Sequence, residues 1–372
     1  MGIYIVLLLL PFALNLLFFS ISDKNLQKRF IVYIYFIFLF CIYVLRDFSV
    51  GSDIFGYYEI YNAASYHNWF DNSWIYMEPG YVFLMKLFNT LGFSFRFFMA
   101  ILYLIFIIPL AHFILKFSKD VVLSLIIFTC FTFFVFSMSG LRQTVALGIC
   151  LIAFDLAQKN GLRNFLIYCI CILIAFSIHK SAFIFIPAYF IMRTPINWKI
   201  IFIYLIISLL VIFSPIRLIE ILQANEITSY GYEESNSIGT SFYAIVAIII
   251  MGIILSRKSK SINILSLKKN IFAESEVITL GLSNYVNLLI CAACIMLVFS
   301  GTILLRASMY YQIVILIILP NLLSYLDISL RTIFHIILIV ILLLLFYYGV
   351  LLPNQFNIVP YKFSHDLSFF IK

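Results

Sequence analysis

The sequence predicts an all-α, polytopic integral membrane protein, and three observations carry that prediction. Hydrophobic side chains make up 64% of the 372 residues and charged ones only 11%, so there is too little polar surface to cover a soluble core. The apolar stretches are Leu-, Ile- and Phe-rich runs of helix-spanning length, whereas barrel strands would alternate over about 10 residues. The basic residues sit in short loops between those runs, so the net charge of +8 reports orientation in a bilayer rather than affinity for nucleic acid.

In chain order, Gly2 to Ser20 has no basic region ahead of it and no Ala-x-Ala cleavage site, and is expected to be a retained span rather than a signal peptide. Phe30 to Leu45 is the second span. Residues 46–94 form a long first loop, rich in tyrosine, tryptophan and acidic groups. Within it Tyr81 to Leu91 is apolar but too short to cross, and is expected to be a re-entrant or interfacial helix. Phe95 to Leu115, Val121 to Phe136 and Leu141 to Ala157 follow. Phe165 to Ile178 and Ser181 to Met192 are short enough to form either two spans or a hairpin that only partly crosses. Ile200 to Phe213 leads to a second long loop, 214–241, and Phe242 to Leu255, Tyr285 to Ser300, Ala307 to Leu326 and Ile333 to Gly349 complete the set. With about 20 residues as the nominal span, this makes about twelve transmembrane helices, in a range of about ten to fourteen. The chain reads as a single polytopic domain over 1–372, without internal repeats. All seven cysteines lie in apolar segments and are read as core or lipid-facing hydrophobes.

Alternating the loops gathers Lys24, Lys28, Arg29, Lys116, Lys119, Lys159, Arg163, Arg193, Lys199, Arg257, Lys258, Lys260, Lys268, Lys269 and Arg331 on one face, which the positive-inside rule makes cytoplasmic. The outer face receives both termini, both long loops and Asp47, Asp53, Glu59, Asp71, Glu78, Glu220, Glu226, Glu233 and Glu234. Against that bias, Arg46, Arg142, His179 and Arg306 also fall on the outer face. Ionisable groups at membrane depth are expensive, so their convergence points to a functional site.

Arg142 is the most specific candidate. It lies in the first turn of a helix preceded by Ser137, Ser139 and Gly140, where free N–H groups, the positive helix end and a guanidinium all favour a phosphate. The competing reading is an arginine snorkelling from a helix end. Arg46 and Arg306, together with Arg142, form a set suited to a pyrophosphate, because the guanidinium fork binds bidentately and stays charged. Arg46 is otherwise paired locally with Asp47 or Asp53, and Arg306 is otherwise a loop charge. His179 is either a proton relay or a structural histidine at a span end. Asp53, between Gly51 and Gly56, is either a general base or the counter-ion of Arg46. Glu78 is the second candidate carboxylate, with a helix-start role before Pro79 as its alternative. The tyrosines and tryptophans of the first loop would stack on sugars or form an interfacial aromatic belt. No P-loop, Gly-x-Ser-x-Gly, His-Glu-x-x-His, potassium-channel filter or paired-aspartate metal pattern occurs, and no cofactor or metal is expected.

Taken together, these residues resemble a known family. The series Arg46, Gly51, Asp53, Tyr57 and Tyr58; Glu78, Pro79 and Tyr81; Gly140, Leu141, Arg142, Gln143 and Ala146; His179, Ser181, Ala182, Pro187 and Tyr189; then Arg306 and Tyr310 is similar to the EpsG-like polysaccharide polymerases, which belong with the Wzy-type O-antigen and capsule polymerases of bacteria. Pro360, Tyr361 and Lys362 fit the same group. The resemblance runs from about Arg46 to Lys362.

It implies a multi-pass enzyme of the bacterial inner membrane that joins undecaprenyl-pyrophosphate-linked oligosaccharides at the periplasmic face, with a chain-length regulator as a partner. On this reading Arg46, Arg142 and Arg306 hold the pyrophosphate, and Asp53 or His179 accepts the proton of the incoming hydroxyl. Tyr57, Tyr58, Glu78, Tyr81, Gln143 and Tyr310 would face glycan. The rivals are an O-antigen ligase using the same donor, a membrane acyltransferase, and a lipid-linked oligosaccharide flippase. A flippase would be expected to place its charges along a central pathway at mid-depth.

Overall fold

A computed structural model describes residues 2–69, 75–194, 196–214, 240–259, 281–300, 302–354 and 356–364. Among them the regular structure is helical, with an isolated antiparallel bridge between Arg46 and Phe363. The second long loop, 214–241, lies almost wholly outside the described residues.

Helices α1 (Gly2–Leu17) and α2 (Lys24–Leu45) open the chain. The first loop contributes α3 (Ile54–Ala63) and α4 (Pro79–Thr90), the latter where a short interfacial helix is expected. Then come α5 (Phe95–Phe117), α6 (Val121–Cys130), α7 (Thr132–Ser137), α8 (Leu141–Ala157) and α9 (Leu162–Ile178). Among the described residues, three helices are long and apolar enough to cross a membrane: Lys24–Leu45, Phe95–Phe117 and Ile328–Leu351. The pair Leu304–Gln312 and Ile315–Leu323 passes the same test as one span bent by 41°.

Shorter apolar helices at Gly2–Leu17, Val121–Cys130, Leu162–Ile178, Trp198–Ile212, Phe242–Ile254 and Leu282–Val298 fall where the sequence predicts spans. The chain is therefore an all-α, multi-pass membrane protein. Outward-facing Ile333, Ile336, Ile337, Val340 and Leu344 on the last long helix are the apolar face such a protein turns to lipid.

Two expected spans are interrupted. Val121 to Phe136 breaks at Phe131, whose extended backbone (φ −76, ψ 162) ends α6 and starts α7. Ser181 to Met192 is a 3-10 turn, Lys180–Phe185, followed by the four-residue helix Ala188–Ile191. Neither piece is long enough to be one continuous spanning helix.

By packing, the chain divides into two compact units. The first comprises Met1–Ala153, Cys169–Phe183 and Asp327–Lys372; the second comprises Phe154–Tyr168 and Ile184–Leu326. In the first unit, Gly148 lets α8 press against α5: a Cβ there would stand 2.4 Å from the Ile105 carbonyl oxygen. Small residues at such crossings let membrane helices approach closely. In the second unit, side-chain amides tie helix to loop: Asn284 donates to the Met192 carbonyl (2.8 Å), and Asn287 to those of Ile191 (3.2 Å) and Thr194 (3.0 Å). The Arg193 guanidinium covers the Tyr189 ring at 3.5 Å and donates to the Lys159 carbonyl.

After the last helix the chain turns through Asn354 (φ 49) and Asn357 (φ 51) and lies along residues 45–52 of the first unit. Asn354 accepts from the backbone of Ile358 and Val359 and so holds the turn. The backbone N–H groups of Asp47, Gly51 and Ser52 donate to the carbonyls of Lys362, Asn357 and Phe356, and Ser364 donates back to Leu45. The Tyr4 hydroxyl reaches the Ile358 carbonyl at 2.6 Å, and that of Tyr361 reaches the Ile42 carbonyl at 2.6 Å.

Candidate functional site

The site is built around Glu78, in the first unit. By backbone position Glu78 caps α4, with Pro79 opening the helix, yet its side chain makes no cap hydrogen bond. Its carboxylate turns away from its own helix. One oxygen takes the Arg142 guanidinium; the other takes His179 Nδ1 at 3.1 Å and the Lys180 backbone N–H at 3.0 Å. Thus the helix-start reading holds for the backbone alone, and the charge serves three partners from other elements.

Gly80 makes this reach feasible. A Cβ at Gly80 would stand 2.3 Å from Ser177 Oγ and 2.7 Å from the Ser177 carbonyl oxygen, so only glycine lets the start of α4 lie against the end of α9. His179 and Lys180 follow directly after α9 ends at Ile178.

Arg142 occupies the first turn of α8. Its Nε donates to the Tyr57 hydroxyl at 3.1 Å, and its guanidinium lies 6.0 Å from the centre of that ring. Tyr57, on α3, stands edge-on to Tyr81 of α4 at 5.8 Å. Four elements therefore meet: α3, the start of α4, the start of α8 and the end of α9. The Arg142 and His179 side chains keep 23% and 24% of their surface, whereas Glu78 keeps 7%, so the two nitrogen bases and not the carboxylate are open to a ligand.

Burial pushes the Glu78 carboxyl up, but the hydrogen bonds from His179 and Lys180 and the Arg142 charge outweigh it and hold the group down at about 2. Burial raises the Tyr57 hydroxyl against the pull of Arg142, which keeps it a neutral phenol at pH 7.

Asp53 stands beside this group at the start of α3. Its backbone N–H donates to Ser139 Oγ at 3.3 Å, and its carboxylate accepts from Ser52 Oγ at 3.0 Å. The Ser52 and Ser139 hydroxyls are 2.6 Å apart. Ser139 lies two residues ahead of α8, so these bonds pin the Asp53 turn to the helix that carries Arg142.

Arg46 departs from its expected place among the phosphate ligands. It has no exposed surface, lies over the Tyr43 ring at 4.2 Å, and donates to the Met138 carbonyl. A guanidinium enclosed in this way braces the chain around Met138. Asp47, one of its two expected local partners, accepts from the Ser49 N–H instead. The Met138 carbonyl also stands 2.3 Å from where a Cβ would sit on Gly51, whose φ is +106. The turn into Asp53 is thus close-packed as well as hydrogen-bonded.

Tyr58 packs against Phe48 (4.9 Å) and Phe95 (5.8 Å) in an aromatic cluster, which fits a packing role better than sugar stacking. Tyr81 and Gln143 are buried. Arg306, on the turn Ile303–Ser308, and the fully buried Tyr310 belong to the second unit.

Sequence reasoning passed over Ser52, Gly80, Ser139 as a hydrogen-bond partner, Lys180 and Arg96. Arg96 is buried at the start of α5, donates to the carbonyls of Val44 and Arg46, and reaches Ser364 Oγ at 2.7 Å. As a further arginine at the expected outer end of a span it carried the same mark as Arg142. Among the described residues no group of three or more His, Cys, Asp or Glu side chains is placed to hold a metal ion.

The model of the EpsG family matches residues 29–363. No curated protein and no solved structure matches the chain.

Proposed function

As the chain belongs to the EpsG family, a family of the polysaccharide-polymerase type, we propose that it joins undecaprenyl-pyrophosphate-linked oligosaccharide repeat units at the periplasmic face of the inner membrane. The observation that carries the reading is the Glu78 carboxylate shared by Arg142 and His179. With Nδ1 engaged by a carboxylate, the His179 ring is oriented with Nε2 as its remaining proton acceptor, the arrangement of a general base fixed by a buried acid. Arg142 supplies a cation beside it that is open to an anionic leaving group.

In the proposed step, a hydroxyl of the acceptor sugar attacks the anomeric carbon of the donor glycan. The new bond is carbon to acceptor oxygen, and the broken bond is anomeric carbon to pyrophosphate oxygen. The hydroxyl proton passes to His179 Nε2, and polyprenyl pyrophosphate departs with the electron pair. Arg142 stabilises the charge that develops on it. Glu78 holds the imidazole in the productive tautomer and stabilises the imidazolium once formed. Asp53, pinned at the edge of the group, is placed to orient the acceptor.

The test is deletion of the gene, followed by complementation with wild type, Arg142→Ala or His179→Ala and separation of the surface glycan by length. A polymerase leaves single repeat units in the deletion strain and in both variants, at wild-type membrane abundance. A ligase leaves normal-length glycan unattached to its acceptor, and a flippase leaves repeat units at the cytoplasmic face. Unchanged ladders in the deletion strain would overturn the reading.

A further inference from the structure

We propose that the C-terminal strap, residues 356–364, is a positioning element of this site, setting the 45–53 segment so that Asp53 stays fixed against Ser139 at the start of α8. The proposal rests on the reading of the site as glycan-polymerising. Its basis is the density and direction of the strap's bonds. Gly51 and Ser52, the two residues ahead of Asp53, both donate their backbone N–H groups to the strap, to Asn357 and Phe356. Asn357 Nδ2 returns a bond to the Ser49 carbonyl at 3.1 Å, and the Phe356 ring meets Phe136 edge-on at 6.1 Å.

At the strap's far end, the Ser364 N–H donates to Leu45 and its hydroxyl accepts from Arg96, which also grips the Arg46 carbonyl. The 45–52 segment is therefore held along its length. The bonds at Ser49, Gly51 and Ser52 join loop to loop, while those at Leu45, Arg96 and Phe136 anchor the strap to α2, α5 and α7. A segment needed only to end the last helix would not require them. Their effect is to fix a turn whose outward product is Ser52 and Asp53, hydrogen-bonded to Ser139.

The strap acts through Asp53 and touches no reacting atom. Asn357 is its most testable residue, because it supplies both the turn (φ 51) and the side-chain bond to Ser49. Asn357→Ala removes the bond and disfavours the positive φ, whereas Asn357→Gly removes the bond but tolerates the backbone.

Two readouts separate the possibilities. The first is labelling of Ser139→Cys, a position 1% exposed beneath Ser52, by a membrane-impermeant maleimide, with the native cysteines as background. The second is glycan length with Ser139 intact. Asn357→Ala is expected to raise labelling by about tenfold, the factor for losing one or two hydrogen bonds that hold a segment closed, and to shorten the glycan. Asn357→Gly is expected to recover part of both. Unchanged labelling in Asn357→Ala and in the Asn354→Ala, Asn357→Ala double variant overturns the proposal. So does raised labelling with glycan of normal length. If deleting the gene leaves the glycan unaltered, the polymerase reading fails, while the labelling still reports whether the strap holds the turn.

Discussion

Glu78→Gln tests the centre of the site while keeping its shape. The amide oxygen still accepts from the Lys180 N–H, but the charge shared by Arg142 and His179 is gone. The Glu78 carboxyl is held at about 2 against an ordinary 4.5. At about 1.4 kcal/mol per unit, this corresponds to roughly 3 kcal/mol of folded-state preference for the ionised form. Because the folded-state value is the lower one, that stabilisation is complete above about pH 4.5 and is lost as pH falls through about 2.

Wild-type protein in detergent should therefore lose roughly 3 kcal/mol of stability across that window. Glu78→Gln should lack this component of the pH dependence and melt lower at pH 7. Its chemical effect should exceed its effect on stability: an imidazole without its orienting carboxylate loses on the order of 10²–10⁴ in rate. The assay is transfer between lipid-linked repeat units in membrane vesicles, with membrane abundance measured by immunoblot. Wild-type transfer by Glu78→Gln at wild-type abundance would refute the reasoning, since nothing else described in the site would then need the carboxylate.

Arg142→Lys keeps a positive charge but has no Nε to donate to Tyr57 and no planar fork, so transfer should fall by at least about tenfold while the protein still reaches the membrane. Gly80→Ala should separate the start of α4 from Ser177, costing about 1–3 kcal/mol in a detergent melt and reducing transfer at the same time. Arg46→Leu removes a buried cation that braces the Met138 carbonyl, and should lower membrane abundance or melting temperature before it alters the ratio of short to long glycan. A selective change in glycan length at normal stability would return Arg46 to the ligand set.

The fold class was legible because hydropathy is local: α8 begins at Leu141 and ends at Ala157, as its apolar pattern predicts. Arg142 was legible for a related reason, since a charge in the first turn of an apolar helix on the acidic face is visible from the chain alone. Partners were not. Arg46 and Arg142 look alike in sequence, and only packing makes one a buried brace and the other a half-open cation. The same holds for Glu78, whose Pro79 neighbour explains its backbone but not the turn of its carboxylate toward Arg142, His179 and Lys180. Gly80 matters through a Cβ it does not have, against a residue nearly a hundred positions away, which no periodicity reveals. The break at Phe131 was likewise hidden, because the residues on both sides of it are equally apolar.

The clasp between Ser49 and Asn357 closes over a sequence separation of 308 residues. At synthesis rates of about 5–20 residues per second, the chain around Asp53 leaves the ribosome roughly 15–60 s before the segment that fixes it exists. During that interval the N–H groups of Asp47, Gly51 and Ser52 must be satisfied by water, lipid headgroups or an insertion factor. The turn ahead of Asp53 is therefore set only once residues 356–364 have been made, and a chain stalled within the last helix would still have that turn open.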